Sequence, residues 1–370
     1  MRVGFLLEQA LAPTPGGTGR YSSELAAALA RTARVGDEVA TWTAWHRDIR
    51  GAVVAGVAGP TRLPLPRRPL IAAWERGLGP APRGVDLLHA PTLLFPPRQQ
   101  IPIVVTIHDV VPWTHPETLT PHGVKWHRSA ATRASRVADA ITVPTEAVAT
   151  SLRKVLPHLR PERLHVVGGG VSTALRVAPS AELIADVTCR LQLPDRYVVS
   201  LATLEPRKGL DTLVAALGKL PGAPPLLVVG QPGWGGVDLL SAARAAGLGG
   251  DGVRLLGPLP DRELGVVLRK AIMLVMPSRA EGFGLPVAEA MTVGTPVVCT
   301  ADPALAEVAG DAAQLVPVDD SAALAEAIEA LLHDSSRRDQ LVARGLARAP
   351  RFDWDDVARR AWGLYHDIVE

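Results

Sequence analysis

Two carboxylates, Glu281 and Glu289, lie eight positions apart in the string PSRAEGFGLPVAEAMTVGTPVV, within residues 277–299. A carboxylate accepts two hydrogen bonds without donating, which suits it to a vicinal diol. Between them, GFG offers flexible positions where backbone N–H groups can approach a ligand closely. Pro286 suits the first turn of a helix, where its missing N–H would be unpaired anyway. A helix N-terminus behind a glycine loop, at the carboxyl end of a parallel strand, binds anions. The string therefore predicts one carboxylate on sugar hydroxyls and the other on a ribose diol. The alternative is a capped helix with two solvated acids.

Three further constellations follow the same logic. In LATLEPRKGLDTLVAAL, Arg207 and Lys208 sit between a strand ending at Thr203 and a helix from Leu210. Two cations there fit a diphosphate that becomes a leaving group; the alternative is a surface basic pair. Only five of the 39 basic residues are Lys, so Lys208 is the more telling of the two. Gly16, Gly17 and Gly19 follow the first strand and fit a phosphate-side loop, or a plain turn; their spacing is not a dinucleotide fingerprint. His108 and Asp109 emerge where IPIVVTIHD ends. There His108 could donate to a sugar hydroxyl and Asp109 could orient an acceptor hydroxyl, or the pair could be structural.

Other chemistries find no motif. There is no phosphate-binding G-x-x-x-x-G-K-[ST], no G-x-S-x-G elbow and no metal-spaced His/Cys set. The D-x-D of Asp353 and Asp355 stands where a helix begins and reads as a cap, so no metal and no cofactor are expected.

Short β-rich runs (RVGFLLEQ, IPIVVTIHD, DAITVP, RLHVVG, then YVVSLAT, PPLLVVG, VRLLG, IMLVMPS, TPVVCT) must position these groups. They alternate with helical stretches, the pattern of βαβ units and parallel sheets. A length of 370 residues predicts two domains. The boundary is expected within 170–195, after the flexible Gly168–Gly170 run, giving domains 1–178 and 179–350 and a closing amphipathic helix over 351–370. The Pro-rich segment 60–83, with Trp74 and five arginines, is expected to be irregular: an acceptor or membrane loop, or a plain surface excursion.

Composition narrows the setting. No apolar run approaches the roughly 20 residues that span a bilayer. MRVGFLLEQALAP, broken by Glu8, reads as a buried strand rather than a signal peptide. Cys189 and Cys299 make no disulfide framework, and the expectation is a cytoplasmic protein. The net charge of +2 hides an asymmetry: residues 1–180 carry 21 Lys+Arg against 12 Asp+Glu, and the remainder 18 against 25. A basic first half suits an anionic acceptor or peripheral contact at the inner face of a membrane, or is a solvated surface. No nucleic-acid partner is expected.

The string PSRAEGFGLPVAEAM is similar to the E-x7-E signature of retaining glycosyltransferases of family 4. LEPRKGLDTL, GQPGW, LLGPLPDREL, EVAGDAAQLV and FDWDDVARRA resemble further blocks of that family, in order, and GGTGRY and IHDVVPWTHPE resemble its first-domain blocks. The chain resembles more closely the branch of mannosyltransferase-like bacterial members. The resemblance implies an α/β GT-B architecture: two facing Rossmann-like domains with parallel sheets, the last helix crossing back to the first domain. It implies catalysis by His108, Asp109, Lys208 and Glu281, and donor binding by Gly16, Gly17, Arg207, Lys208, Glu281, Gly282, Phe283, Gly284, Leu285 and Glu289. Glu281 would hold the transferred sugar, Glu289 the ribose, and Lys208 with Arg207 the diphosphate. Two departures stand out. Many relatives carry Arg where this chain has Thr203, leaving Arg207 to supply the second positive charge. Their interdomain P-N-G is Gly168–Gly170 here, which suggests a looser hinge.

The resulting expectation is a metal-independent, retaining transferase. It would move a hexose from a nucleoside-diphosphate sugar, GDP-mannose or similar, to a hydroxyl acceptor such as a glycan, lipid-linked sugar or natural product. A GT-B-like sugar-nucleotide epimerase and a non-catalytic sugar-nucleotide-binding subunit are the alternatives.

Overall fold

A computed structural model describes residues 1–370. The chain forms two compact units, Met1–Gly170 with Asp353–Glu370, and Val171–Phe352.

The first unit carries a seven-stranded parallel sheet: β1 Arg2–Leu6, β2 Glu38–Trp45, β3 Ala58–Pro66, β4 Leu87–Ala90, β5 Ile103–Thr106, β6 Ala140–Val143 and β7 Leu164–Val166. Their spatial order is β3-β2-β1-β4-β5-β6-β7, so the chain reverses direction across the sheet between β1 and β4. Both faces are covered. Leu88, Ile103 and Val105 join the apolar cluster on one face, while Val3, Phe5 and Val104 join that on the other. That is why these strands read as continuous apolar runs rather than alternating ones.

Only residues 76–83 are irregular as expected. Residues 60–75 are regular: they hold most of β3 and the helix Arg67–Glu75. The prolines at 60, 64 and 66 hid the strand; they are tolerated because β3 is the sheet edge. Trp74 is buried, with its indole N–H on Pro80 O at 2.8 Å, so it serves the core and not a surface.

The second unit repeats the plan with six parallel strands: β8 Val198–Leu201, β9 Leu226–Val229, β10 Val253–Gly257, β11 Met273–Met276, β12 Val297–Thr300 and β13 Gln314–Val316. Their order is β10-β9-β8-β11-β12-β13, with the reversal between β8 and β11.

The chain leaves the first unit at Gly170/Val171, eight residues before the expected 178/179, and returns at Asp353 rather than 351. Packing sets both points. Val171 N donates to Phe352 O at 2.9 Å, and Leu175 lies in the second unit's core. The glycine run is packed rather than loose: a Cβ on Gly170 would lie 2.6 Å from Trp354 Cγ. From there the Trp354–Val369 helix lies on the Gly16–Thr32 helix, with Trp362 Nε1 donating to Leu29 O at 3.0 Å. No helix is long and apolar enough to cross a membrane.

Candidate functional site

In the second unit, β8 and β11 are neighbours, paired in register through Met273 and Val198. The loops leaving their carboxyl ends thus emerge side by side at the reversal point, where open α/β sheets bind ligands. The loop after β8 turns through Pro206–Lys208 into the Leu210–Leu217 helix. Gly209, at φ +62°, permits that turn: a Cβ there would stand 2.1 Å from Pro277 O. The loop after β11 enters the Leu285–Val293 helix through Gly284 at φ +87°, where a Cβ would meet Leu305 Cδ2 at 2.4 Å. Each motif thus uses glycine where a strand end and a helix start touch a neighbour.

The two loops bring the predicted charges together. Lys208 Nζ lies 2.6 Å from Glu281 Oε1, and Ser278 Oγ donates to the same oxygen at 2.8 Å. Arg207 Nη1 donates to Glu281 Oε2 at 3.1 Å and to Ala280 O at 2.8 Å, while its Nη2 donates to Glu205 Oε1 at 2.6 Å. Burial opposes ionisation of Glu281, but Lys208 and Arg207 outweigh it and hold the carboxyl down at about 2. Neighbouring Asp302 is pushed up by burial and by the Glu281 charge, against hydrogen bonds from Ala304 N and Leu305 N at the start of the next helix. Glu289 is buried within the Leu285–Val293 helix. Phe283 packs edge-on against Phe352, ring centroids 6.0 Å apart, and Gly282 and Leu285 flank the helix entrance. The result is a carboxylate held between two cations at a helix N-terminus, able to exchange one cation for hydroxyl donors.

The first unit holds the other predicted residues. Gly16, at φ +59°, and Gly17 are not a loop before the helix but its first turn; a Cβ on Gly16 would meet nothing within 4 Å. His108 is half-buried, edge-on to Tyr21 at 4.8 Å between centroids, with Nε2 2.8 Å from Pro91 O. A carbonyl only accepts, so Nε2 carries the hydrogen; burial lowers this ring's pKa and keeps it neutral. The remaining Nδ1 is an acceptor, the reverse of the expected donation to a sugar hydroxyl. Asp109 Oδ1 accepts from Val111 N at 3.0 Å, a local bond two residues on that leads into the short Val111–Thr114 turn. Asp353 Oδ1 accepts from Asp355 N at 2.7 Å, and Asp355 pairs with Arg31 at 2.6 Å.

Several participants were not singled out from the sequence. Glu205 and Ser278 sit inside the quoted strings, but only burial separates them from ordinary loop residues. In the first unit, buried His89 bridges Tyr365 Oη at 2.5 Å and Thr106 Oγ1 at 2.8 Å, and Thr106 reaches Thr142 at 2.8 Å. Glu8 accepts from Ala44 N and meets His46 Nε2, both at 2.8 Å.

Two parallel α/β units of this topology define a GT-B fold, and the whole-chain likeness agrees. Sucrose-phosphate synthase from Thermosynechococcus elongatus matches with a TM-score of 0.79 at 23% identity, covering 100% of this chain and 99% of that one. Anabaena Alr3699/HepE, solved with UDP and glucose, matches with a TM-score of 0.78 at 20% identity, covering 99% and 100%. A family model described as "Glycosyl transferases group 1" matches residues 190–348, and one described as "Glycosyltransferase Family 4" matches residues 15–175. The chain belongs to the family 4 glycosyltransferases. The O-antigen chain mannosyltransferase B of Escherichia coli is 37% identical over 173 residues, 46% of this chain and 45% of that protein. The match thus spans about half the length of that relative.

Proposed function

We propose that the chain transfers a hexose from a nucleoside-diphosphate sugar to a hydroxyl acceptor, with retention of configuration and without a metal ion. The second unit takes the donor and the first unit the acceptor. The observation that carries this reading is the 2.6 Å link between Lys208 and Glu281. A diphosphate competes for the lysine, and sugar hydroxyls compete for the carboxylate, so one ligand bearing both groups satisfies both ends of a broken ion pair. Glu289 is assigned to the ribose, and Gly16 and Gly17 to the phosphates. His108 Nδ1 is assigned to accept from a sugar hydroxyl. The related mannosyltransferase favours a mannosyl donor.

In the transfer step the acceptor oxygen forms a bond to the anomeric carbon as the bond to the diphosphate breaks. The acceptor's proton passes to the departing phosphate oxygen on the same face, which preserves configuration. No side chain of the cluster has to act as a nucleophile. Rate enhancement then rests on positioning and on neutralising the leaving group.

Lys208→Ala and Glu281→Ala should each lower turnover by roughly 10²-fold or more. The assay is nucleoside diphosphate release from GDP- and UDP-hexoses, with and without acceptor and with excess chelator. Near-wild-type rates in both variants would sink the site assignment, and loss of activity in chelator would sink metal independence. Release of an altered donor sugar without acceptor would indicate an epimerase instead.

For location, the proposal is a cytoplasmic enzyme with peripheral contact at an anionic membrane face. The support is the basic first unit, which exposes Arg68, Arg76, Arg83, Lys125 and Arg136. Co-sedimentation with anionic but not neutral vesicles, lost at high salt, is the expected result; equal binding to both would refute it.

A further inference from the structure

We propose that Arg207 is a positioning residue for Glu281, locked by the buried carboxylate of Glu205, and that Lys208 alone supplies the second unit's side-chain cation to the donor diphosphate. The inference rests on the donor-site reading above and departs from the expectation that Arg207 is the second phosphate ligand.

The reasoning starts with what each cation would lose by moving. Arg207 is 17% exposed and has both guanidinium arms engaged, by two carboxylates and one carbonyl oxygen. Its backbone carbonyl also accepts from Arg279 N at 2.8 Å. One residue therefore staples the loop after β8 to the loop after β11 through both main chain and side chain. Glu205, its other partner, is only 2% exposed. Pulling Arg207 toward a phosphate would leave that carboxylate buried and unpaired, which is strongly unfavourable.

Lys208 faces no such penalty. Its ammonium meets Glu281 Oε1, an oxygen that Ser278 also serves. When Lys208 turns to a phosphate, Oε1 keeps the serine and gains room for a sugar hydroxyl, while Arg207 still neutralises Oε2. A planar two-armed guanidinium suits the fixed strut, and a point charge on a flexible stem suits the moving contact. Other cations do not fill the gap: residue 203 is Thr, and Arg279 is committed to Pro206 O, Asp211 and Asp319.

The test separates binding of the diphosphate from handling of the sugar. GDP and UDP affinities by calorimetry, and donor kcat and KM, are measured for Lys208→Gln, Arg207→Gln, Arg207→Lys and Glu205→Gln, each checked for a wild-type melting profile. Lys208→Gln should weaken nucleoside diphosphate binding by about 10-fold or more. Arg207→Lys and Glu205→Gln should keep that affinity within about 3-fold yet lower kcat by on the order of 10²-fold, because Glu281 shifts off the sugar. The proposal is overturned if Arg207→Gln weakens the diphosphate as much as Lys208→Gln does, or if Arg207→Lys retains wild-type kcat. Should Arg207→Gln or Glu205→Gln fail to fold, Arg207→Lys decides alone, since it keeps the charge and removes the fork. If instead Lys208→Gln leaves affinity unchanged, the donor-site reading itself fails, whatever Arg207 does.

Discussion

The two units share one plan, a parallel sheet with a reversal beside its first strand, yet they spend their polar groups there differently. In the first unit a neutral network closes on itself beside the reversal: His89 sits between Tyr365 and Thr106, and Thr106 reaches Thr142. In the second unit the groups are ionised and held against one another across two loops, with Glu281 between Lys208 and Arg207. A neutral network gains little by opening, because each donor and acceptor already has a partner of its own kind. A carboxylate held by a lysine can trade that partner for a ligand. The contrast therefore separates a network built to hold its shape from a cluster built to exchange contacts.

The largest expected effect that would break this comparison is steric. Gly209→Ala places a Cβ 2.1 Å from Pro277 O at φ +62°, so the two site loops must part. Stability of the second unit should fall by at least about 3 kcal/mol, measured by urea unfolding. Gly16→Ala is the matched control in the first unit: φ is +59° but the space is open, so only the backbone preference of about 1–2 kcal/mol is lost. Equal losses at the two glycines would show that the loop junction at Gly209 is not a tight packing point.

How much of this could be read from the residues alone follows from the range of each interaction. Lys208, Arg207 and Glu281 were legible because their chemistry is local, charged groups beside glycines at strand ends. The strands β1, β5 and β6 were legible because burial on both faces leaves unbroken apolar runs. β2 and β3 were not: threonines and tryptophans blur EVATWTAW, and prolines disguise an edge strand. The His89–Tyr365 contact joins residues 276 positions apart, and no local pattern announces it. Glu205 looked like any loop carboxylate until its burial was known. His108 was found by position, but the direction of its hydrogen bond depended on Pro91 O, seventeen residues away.

A middle-sized effect sharpens the comparison through acid. Burial, with a smaller push from His108, holds His89 at about 3 against an ordinary 6.5. Above pH 6.5 the ring is neutral in both folded and unfolded chains. Between about 6.5 and 3 the unfolded chain binds a proton that the folded one refuses, so stability falls as pH drops through that window. His108, lowered by burial, acts with the same sign. Glu281, held at about 2 against 4.5, keeps its contribution above pH 4.5 and loses it as pH falls toward 2. Asp302, pushed up, has the opposite sign and softens the second unit's acid response. Peptide-resolved hydrogen exchange should therefore show the first unit loosening first between pH 6.5 and 4.5. Tyr365→Phe should add a loss of about 1–3 kcal/mol in that unit, since it leaves one His89 nitrogen without its partner. If the second unit loosened first, the neutral network would not be the acid-sensitive element.

The smallest effects concern two carboxylates of the first unit, Asp353 and Asp355. Asp353 accepts the Asp355 N–H at the start of the last helix, a capping bond whose removal costs about 1 kcal/mol. Asp355 pairs with Arg31 near solvent, where such a contact contributes at most about 1 kcal/mol. Asp353→Ala should thus lower the melting temperature slightly, Asp355→Asn less, and both should leave turnover within about 2-fold of wild type, as expected for changes away from the reacting groups. The measurement is turnover at a temperature well below either melting point, so that helix fraying does not enter. A turnover loss comparable to that of Lys208→Ala would instead place these carboxylates in the chemistry, and the reading of Asp353 as a helix cap and Asp355 as a surface ion pair would fail.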